Sequence, residues 1–317
     1  MNQNSLTYPT ISVVIPVYGC LICLDALCEQ VEASVSRLTP NFEIILVDDG
    51  SPDCWWQYLP KLQERYASVK GVRLSRNYGQ QIAVTAGLAQ AKGDYAVVMD
   101  CDLQDSPSLI PKLYAKLQEG YDLVLAKRVQ RNHSGFRRLA AKLYFALLSK
   151  LADEPIDGSY GSFSILSRKV IDSFLLFKER ERHYLFILRW LGFSVGSIDI
   201  VHQKRHSGKS SYTLKSLVYL ALDGVLFQTS VMLKWITGLG FIFAFLSIFS
   251  AIYLVFQYLY RDILPGWTSL IVLILGSTGV LLISLGVIGL YIGRIFDQTK
   301  QRPLYVIDTI QERKLPW

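Results

Sequence analysis

Asp100-Cys101-Asp102, with Gln104 and Asp105 close behind, is the stretch of this sequence best equipped for chemistry. It follows an apolar run, 95–99, that reads as a buried strand, and Pro107 suits the first turn of a helix beyond it. Two carboxylates one residue apart at a strand end can both reach one hard cation, and Gln104 adds a neutral oxygen. Oxygen-only ligands suit Mg²⁺ or Mn²⁺, which usually bridge to phosphates. A second acidic strand end lies upstream, where the run 42–47 leads into Asp48-Asp49-Gly50-Ser51. Cations follow. Lys127-Arg128 close the short run 123–126, and Arg205-His206-Ser207-Gly208-Lys209-Ser210-Ser211-Tyr212 mixes cations, a glycine and hydroxyls in a way that suits phosphate binding. Between them lies Asp157-Gly158-Ser159-Tyr160-Gly161-Ser162-Phe163, read as a glycine-rich loop with one acid.

The elements that must position these groups alternate. Apolar runs at 11–18, 42–47, 69–74, 95–99 and 123–126 read as strands. Helical spacing is present over 21–38, 55–66, 82–91 and 108–117, with a polar loop at 76–80. Strand, helix, strand in this order predicts a mostly parallel α/β sheet with right-handed crossovers. Carboxylates at the C-terminal ends of such strands stand where open α/β sheets bind ligands. No Gly-x-Gly-x-x-Gly follows the first strand and no Walker A sequence occurs, so phosphates must be held by metal and basic side chains.

Composition narrows the setting. The chain has 317 residues, 51% of them hydrophobic, a mean hydropathy of +0.27 and a net charge of +7. With few nucleic-acid signatures, a basic chain carrying apolar segments points to anionic headgroups or phosphorylated ligands. All five cysteines lie in the first third without framework spacing, which predicts reduced thiols in a cytosolic domain. The first ten residues are polar and a strand follows at once, so no signal peptide is expected.

The apolar excess is concentrated near the C-terminus. Neither 235–260 nor 263–293 contains a charged residue, and each exceeds the roughly 20 residues a span requires. Two transmembrane helices are predicted, about 235–258 and 267–292, joined by a tight turn at Arg261-Asp262. Cations flank both outer ends, so the positive-inside rule places both termini in the cytoplasm. Glycines 276, 279, 286, 289 and 293 would allow close helix packing. The stripe over 136–152 is either a core-facing helix or a basic amphipathic helix on a membrane surface, and 213–230 reads as a juxtamembrane helix. The domain plan is therefore a catalytic domain over 1–212, the juxtamembrane helix, a transmembrane hairpin over 231–294, and a cytoplasmic tail over 295–317 in which 303–310 can form a last short strand.

Taken together, Val14-Ile15-Pro16-Val17-Tyr18, Asp48-Asp49-Gly50-Ser51, Asn77-Tyr78-Gly79-Gln80, Asp100-Cys101-Asp102-Leu103-Gln104-Asp105-Ser106-Pro107 and Arg205-x-x-Gly208-x-Ser210-x-Tyr212 resemble glycosyltransferase family 2, in its polyprenyl-phosphate branch. The resemblance extends over essentially the whole chain. It implies a GT-A fold in which Pro16, Tyr18 and Asp48 line a nucleoside pocket, with Asp49, Ser51 and Gln80 beside the donor. Asp100, Asp102 and Gln104 would hold the metal. Lys127, Arg128, Arg205 and Ser210 would contact phosphates, and Lys209 joins them on charge. Asp157 stands where the family places a candidate base. Facing a phosphate nucleophile, a carboxylate there suits donor-sugar orientation better. Gly19-Cys20 departs from the Asn-Glu that members often carry.

The implied reaction is inverting transfer of a sugar, glucose first and mannose or formyl-aminoarabinose after it, from a UDP-linked donor to polyprenyl phosphate. It would occur at the cytoplasmic face of a bacterial inner membrane, in a homo-oligomer that the family favours as a tetramer, with no nucleic acid involved. A processive synthase is the nearest rival, but Phe186 replaces the glutamine of its Gln-x-x-Arg-Trp motif before Arg189-Trp190. Rivals of another class are a non-catalytic lipid-phosphate scaffold and a transport component.

Overall fold

The structure, a computed structural model, describes residues 8–128, 159–180, 182–200, 231–260 and 266–313. The expected helices at 136–152 and 213–230, the turn at 261–265, and Asp157, Arg205, Lys209 and Ser210 lie outside the described residues. The described elements fall into two compact units. One holds an eight-stranded sheet with its covering helices, and the other holds two long helices.

In the first unit the order is β7-β5-β6-β4-β1-β2-β3-β8. β1 (Ile11–Val17) and β2 (Phe42–Asp48) are buried along their whole length, as strands covered on both faces require. They run parallel to each other, to β3 (Val69–Leu74) on one side and to β4 (Tyr95–Val98) on the other. Beyond β4 the sheet changes direction. β6 (Tyr160–Ser167) is antiparallel to β4 and to β5 (Leu123–Arg128), and β7 (Val195–Ile200) runs parallel to β5. β8 (Ile307–Glu312) pairs antiparallel with β3 and closes that edge.

The loop expected at 157–163 is thus a strand from Tyr160 onward. Its glycine and serines resemble a turn, but tertiary pairing between β4 and β5 overrides that composition. Ser164 satisfies its hydroxyl on Tyr184, 2.7 Å away in the core. The helix expected over 55–66 opens as a tight turn, Trp55–Tyr58, before α2 (Leu59–Arg65).

α1 (Leu24–Val35), α2 and α4 (Ile110–Leu117) cover one face, where Ile15, Leu46, Trp55 and Phe163 are fully buried. α3 (Gln80–Gln90), α5 (Arg168–Leu175) and α6 (Tyr184–Trp190) cover the other, over Val14, Val47 and Leu125. The strand order reverses at β1, with β2 and β3 on one side and β4 on the other, so the C-terminal ends of β1 and β4 meet at a topological switch point, where sheets of this kind leave a crevice. That topological switch point is where ligands bind in such sheets.

The second unit contains α7 (Val231–Tyr260, 30 residues) and α8 (Trp267–Thr299, 33 residues). They stand where the two spans are expected. Within them Gly276–Thr299 is long and apolar enough to cross a membrane, and Ile236–Ser250 is a shorter apolar stretch. Phe241, Phe249, Leu282 and Ile283 are all more than half exposed.

α3 approaches the sheet closely because Gly87 has no side chain. A Cβ there would lie 2.9 Å from Val47 Cγ2 and closer still to Val14. Gly87→Val should destabilise the unit by about 1–3 kcal/mol through overpacking. The check is thermal unfolding of detergent-solubilised protein followed by tryptophan fluorescence, where a drop of several degrees is expected.

Candidate active site

The crevice is built by loops that tie one strand end to the next. After β1, Tyr18 is 55% exposed and Gly19 takes a left-handed φ of +66°. Gly19 N donates to Ser51 Oγ at 2.7 Å, Ser51 Oγ donates to Asp53 Oδ1 at 2.6 Å, and Leu21 N donates to Asp53 Oδ2 at 2.8 Å. Asp53, not singled out from the sequence, therefore fastens the loop after β1 to the loop after β2. Asp48 is buried. Its Oδ1 accepts from Ser51 N at 3.0 Å and Trp55 Nε1 at 3.1 Å, and its Oδ2 lies 3.6 Å from Arg73 Nε. Burial nevertheless holds its carboxyl above the ordinary range, against those bonds.

Asp49 does something different. Its two oxygens accept Tyr78 N at 2.7 Å and Gly79 N at 2.9 Å, so it anchors the 76–80 loop. Gly50 makes this approach possible: its φ is +65°, and a Cβ there would meet Asn77 N at 2.7 Å. Pro16 is a buried strand residue opposite Val47.

The anchored loop starts α3 and delivers Gln80, whose Nε2 donates to Asp100 Oδ1 at 2.7 Å. Ser162 Oγ, from β6, donates to the same oxygen at 3.0 Å. Oδ2 accepts no hydrogen bond among the described residues. Burial raises the Asp100 carboxyl above the ordinary range despite the Ser162 bond, and the charges of Asp102 and Asp105 push the same way. Asp102 Oδ1 accepts Gln104 N at 3.1 Å, across Leu103 in a left-handed conformation with φ +58°. A leucine there costs about 1–2 kcal/mol, which its burial in the core offsets.

Asp105 is buried and pairs with Arg128 at 2.9 Å. The Arg128 guanidinium rests on Gly161, where a Cβ would lie 2.9–3.1 Å from it. Lys127 lies with its Nζ 5.8 Å from the centre of the Tyr160 ring.

The expected residues Tyr18, Asp48, Ser51, Gln80, Asp100, Asp102, Gln104 and Arg128 thus gather at the ends of adjoining strands. Ser162, Asp53 and Asp105 complete the arrangement. Ser162 went unnoticed because its stretch resembles a turn. Among the described residues no group of three or more His, Cys, Asp or Glu side chains forms a metal cage. Asp100 and Asp102 alone make a partial set, of the kind that shares a hard cation with substrate phosphates.

The model of the family described as "Glycosyl transferase family 2" matches residues 12–175. The "Uncharacterized glycosyltransferase YkcC" of Bacillus subtilis (strain 168) is 36% identical, over 93% of this chain and 92% of its own. The "Bactoprenol glucosyl transferase" of Shigella phage SfV is 32% identical, over 96% of this chain and 99% of its own. Among solved structures, glucosyl-3-phosphoglycerate synthase from Mycobacterium tuberculosis, in complex with Mn²⁺ and UDP-glucose, superposes with a TM-score of 0.51 at 19% identity, covering 69% of this chain and 77% of that one. That likeness concerns the fold, an α/β sheet of GT-A type.

The electrostatics of Asp100 carry a stability consequence. A carboxyl raised above its unfolded value favours the protonated fold, so its ionisation penalty appears as pH rises past the unfolded value and is relieved as pH falls through the folded one. Asp100→Asn keeps an acceptor for Gln80 and Ser162 and removes the charge. In chelator-treated protein it should raise the melting temperature by a few degrees near pH 7, and the gain should shrink on acidification.

Proposed function

We propose, for a chain that belongs to glycosyltransferase family 2, that it transfers a hexose, glucose in the first instance, from its UDP donor to the phosphate of a polyprenyl phosphate. The observation that carries this reading is the acid pair, Asp100 and Asp102, at the switch point beside the Asp48–Ser51 turn. The name and near full-length coverage of the phage glucosyl transferase support the acceptor and the sugar.

Tyr18, Pro16, Asp48 and Ser51 form the nucleoside side of the pocket, and Asp49 holds the 76–80 loop that carries Gln80. Asp100 through Oδ2, Asp102 and Gln104 would hold Mg²⁺ or Mn²⁺. The donor set fits such an ion: among the described residues Asp100 accepts hydrogen bonds on Oδ1 alone, and the like charges of Asp102 and Asp105 outrank the opposing charge of Arg128 beside it. When bound, the ion supplies charge neutralisation on the departing diphosphate.

An acceptor phosphate oxygen attacks the anomeric carbon from the face opposite the nucleotide. The new bond forms as the bond to the diphosphate oxygen breaks. UDP departs with the electron pair, and the configuration inverts. A phosphate monoester carries close to two negative charges near neutral pH, so it needs no strong general base. It needs cations to approach a second phosphate group, and Lys127, Arg128, Arg205 and Lys209 fill that role, with the Ser210 hydroxyl as a further phosphate contact. Asp157 orients the donor sugar. The apolar helices α7 and α8 cross the membrane as a hairpin, with the catalytic unit and both termini cytoplasmic and the chains assembled as an oligomer.

The test uses purified protein in detergent with undecaprenyl phosphate, Mg²⁺ and a panel of radiolabelled UDP-sugars. Label should move into the lipid phase from UDP-glucose, and fall by at least about a hundredfold in Asp102→Ala or under chelator. Transfer from a different donor would correct the sugar. No transfer from any donor, with lipid phosphate still bound, would replace this reading with a non-catalytic scaffold.

A further inference from the structure

Asp100 Oδ1 takes its two donors from different elements, and both donors lead back to one residue, Tyr184. Gln80 opens α3, and the next residue, Gln81, accepts Tyr184 N on its Oε1 at 3.0 Å. From the other side, β6 runs antiparallel to β4 with Ser164 opposite Val98, so two residues further along Ser162 meets Asp100. Ser162 and Ser164 share a face of the sheet because side chains alternate. Ser164 Oγ donates to Ser162 O at 2.9 Å and lies 2.7 Å from the Tyr184 hydroxyl. A serine has one hydrogen to give, so in the second bond the tyrosine is the donor. The circuit closes with Ser162 Oγ on Asp100 Oδ1 at 3.0 Å. Tyr184 and Ser164 are both buried, and the Tyr184 ring meets Phe174 edge-on at 5.6 Å.

We infer that Tyr184 is a positioning residue that holds Asp100 to single-oxygen coordination of its metal, and so favours Mg²⁺ or Mn²⁺ over Ca²⁺. The inference rests on the metal role proposed for Asp100. The Tyr184 backbone N fixes Gln81, and with it the start of α3 that carries Gln80. Its hydroxyl fixes Ser164 and, through that serine, the backbone of Ser162. With both donors braced, Oδ1 is engaged twice. The carboxylate cannot turn both oxygens onto an ion without giving up a hydrogen bond in an enclosed site, where an unmade bond is expensive. Small ions such as Mg²⁺ take few carboxylate oxygens at short distance in near-ideal octahedral geometry. The larger Ca²⁺ takes more oxygens, often both from one carboxylate. A neutral tyrosine suits this task, because it stiffens the carboxylate without changing the charge that the ion meets. Outer partners of this kind orient metal ligands generally. Sequence spacing gives no link between Tyr184 and Asp100. The register of β6 and the bond from α6 to α3 make it.

The test uses the full-length protein in detergent and reads retention of radiolabelled UDP in equilibrium dialysis as Mn²⁺ or Ca²⁺ is raised, so that no turnover is involved. Tyr184→Phe removes the hydroxyl and keeps the ring. It should raise the Mn²⁺ concentration for half-maximal retention about fivefold and leave the Ca²⁺ requirement within about twofold. Ser162→Ala, which removes a direct donor to Asp100, should raise the Mn²⁺ requirement by about tenfold or more. The double variant Tyr184→Phe/Ser164→Ala removes both hydroxyls of the buried bond together and should show the Tyr184→Phe shift even where the single variant fails to fold. Phe174→Leu loosens the same packing without touching the circuit, and should leave both requirements within about twofold. Equal losses for the two ions in Tyr184→Phe, or an equal Mn²⁺ shift in Phe174→Leu, would mean that Tyr184 merely packs α6, and either result overturns the inference. Unchanged Mn²⁺ dependence in both Tyr184 variants, against a parent that retains UDP with Mn²⁺, refutes the inference alone. A parent whose UDP retention does not respond to Mn²⁺ refutes the metal role of Asp100 as well.

Discussion

A carboxylate enclosed beside two others is costly, and the catalytic unit is arranged around bearing that cost. Asp100 is desolvated at the end of β4, with Asp102 and Asp105 as like-charged neighbours. Asp105 is neutralised locally by Arg128, and Asp102 is turned by the left-handed Leu103 to take Gln104 N. Among the described residues Asp100 accepts from two neutral donors, both on one oxygen. An isolated buried ion would shift to its protonated form. The charges of Asp102 and Asp105 raise the Asp100 carboxyl further while that of Arg128 lowers it, an arrangement whose chemistry suits a hard cation.

The donors to Asp100 arrive from opposite flanks, and each depends on a larger brace. Gln80 is delivered by a loop that Asp49 pins through two backbone N–H groups. The same loop leans on the end of the chain. Ser75 N donates to Val306 O at 3.0 Å, and Ser75 and Tyr78 share a hydroxyl bond at 3.1 Å. β8 is held in turn by Lys70, a buried cation paired with Glu312 at 3.2 Å, and by Gln63 bonded to Gln311. Residues that follow the last apolar helix therefore support the loop carrying Gln80. The C-terminal strand is part of the catalytic unit rather than a free tail.

How much of this was legible depends on where the determining force lies. The strands 11–18, 42–47 and 95–99 were readable because burial on both faces demands continuous apolar runs, and their acidic ends stand out against them. Asp100, Asp102 and Asp48 followed from that contrast. β6 was not readable. Its glycine and serines lack strand propensity, and only pairing between β4 and β5, with bonds from Ser162 and Ser164, makes it a strand. The division of Lys127 from Arg128 was hidden for a related reason. Sequence shows two adjacent cations, while strand alternation decides that they serve different faces. Asp49 looked like a ligand contact because it adjoins Asp48, yet both its oxygens hold backbone.

A phosphate nucleophile changes what such a site must supply. A sugar hydroxyl needs a base to remove its proton, whereas a phosphate monoester is already anionic and is repelled by the diphosphate it must approach. At about 4 Å two unit charges repel by about 4 kcal/mol in a partly screened site, and each phosphate carries more than one charge. The barrier to be lowered is therefore largely electrostatic, and the remedy is positive charge on more than one side. In the proposed reaction Asp100 and Asp102 would hold a metal that neutralises the departing group, while Lys127 and Arg128, leaving opposite faces of β5, would each be able to meet a different anion. If both had lain on one face, the first phosphate to bind would have engaged them together and left the second unaccompanied. On the proposed reaction, the alternation of a single strand would help to bring two like-charged substrates together.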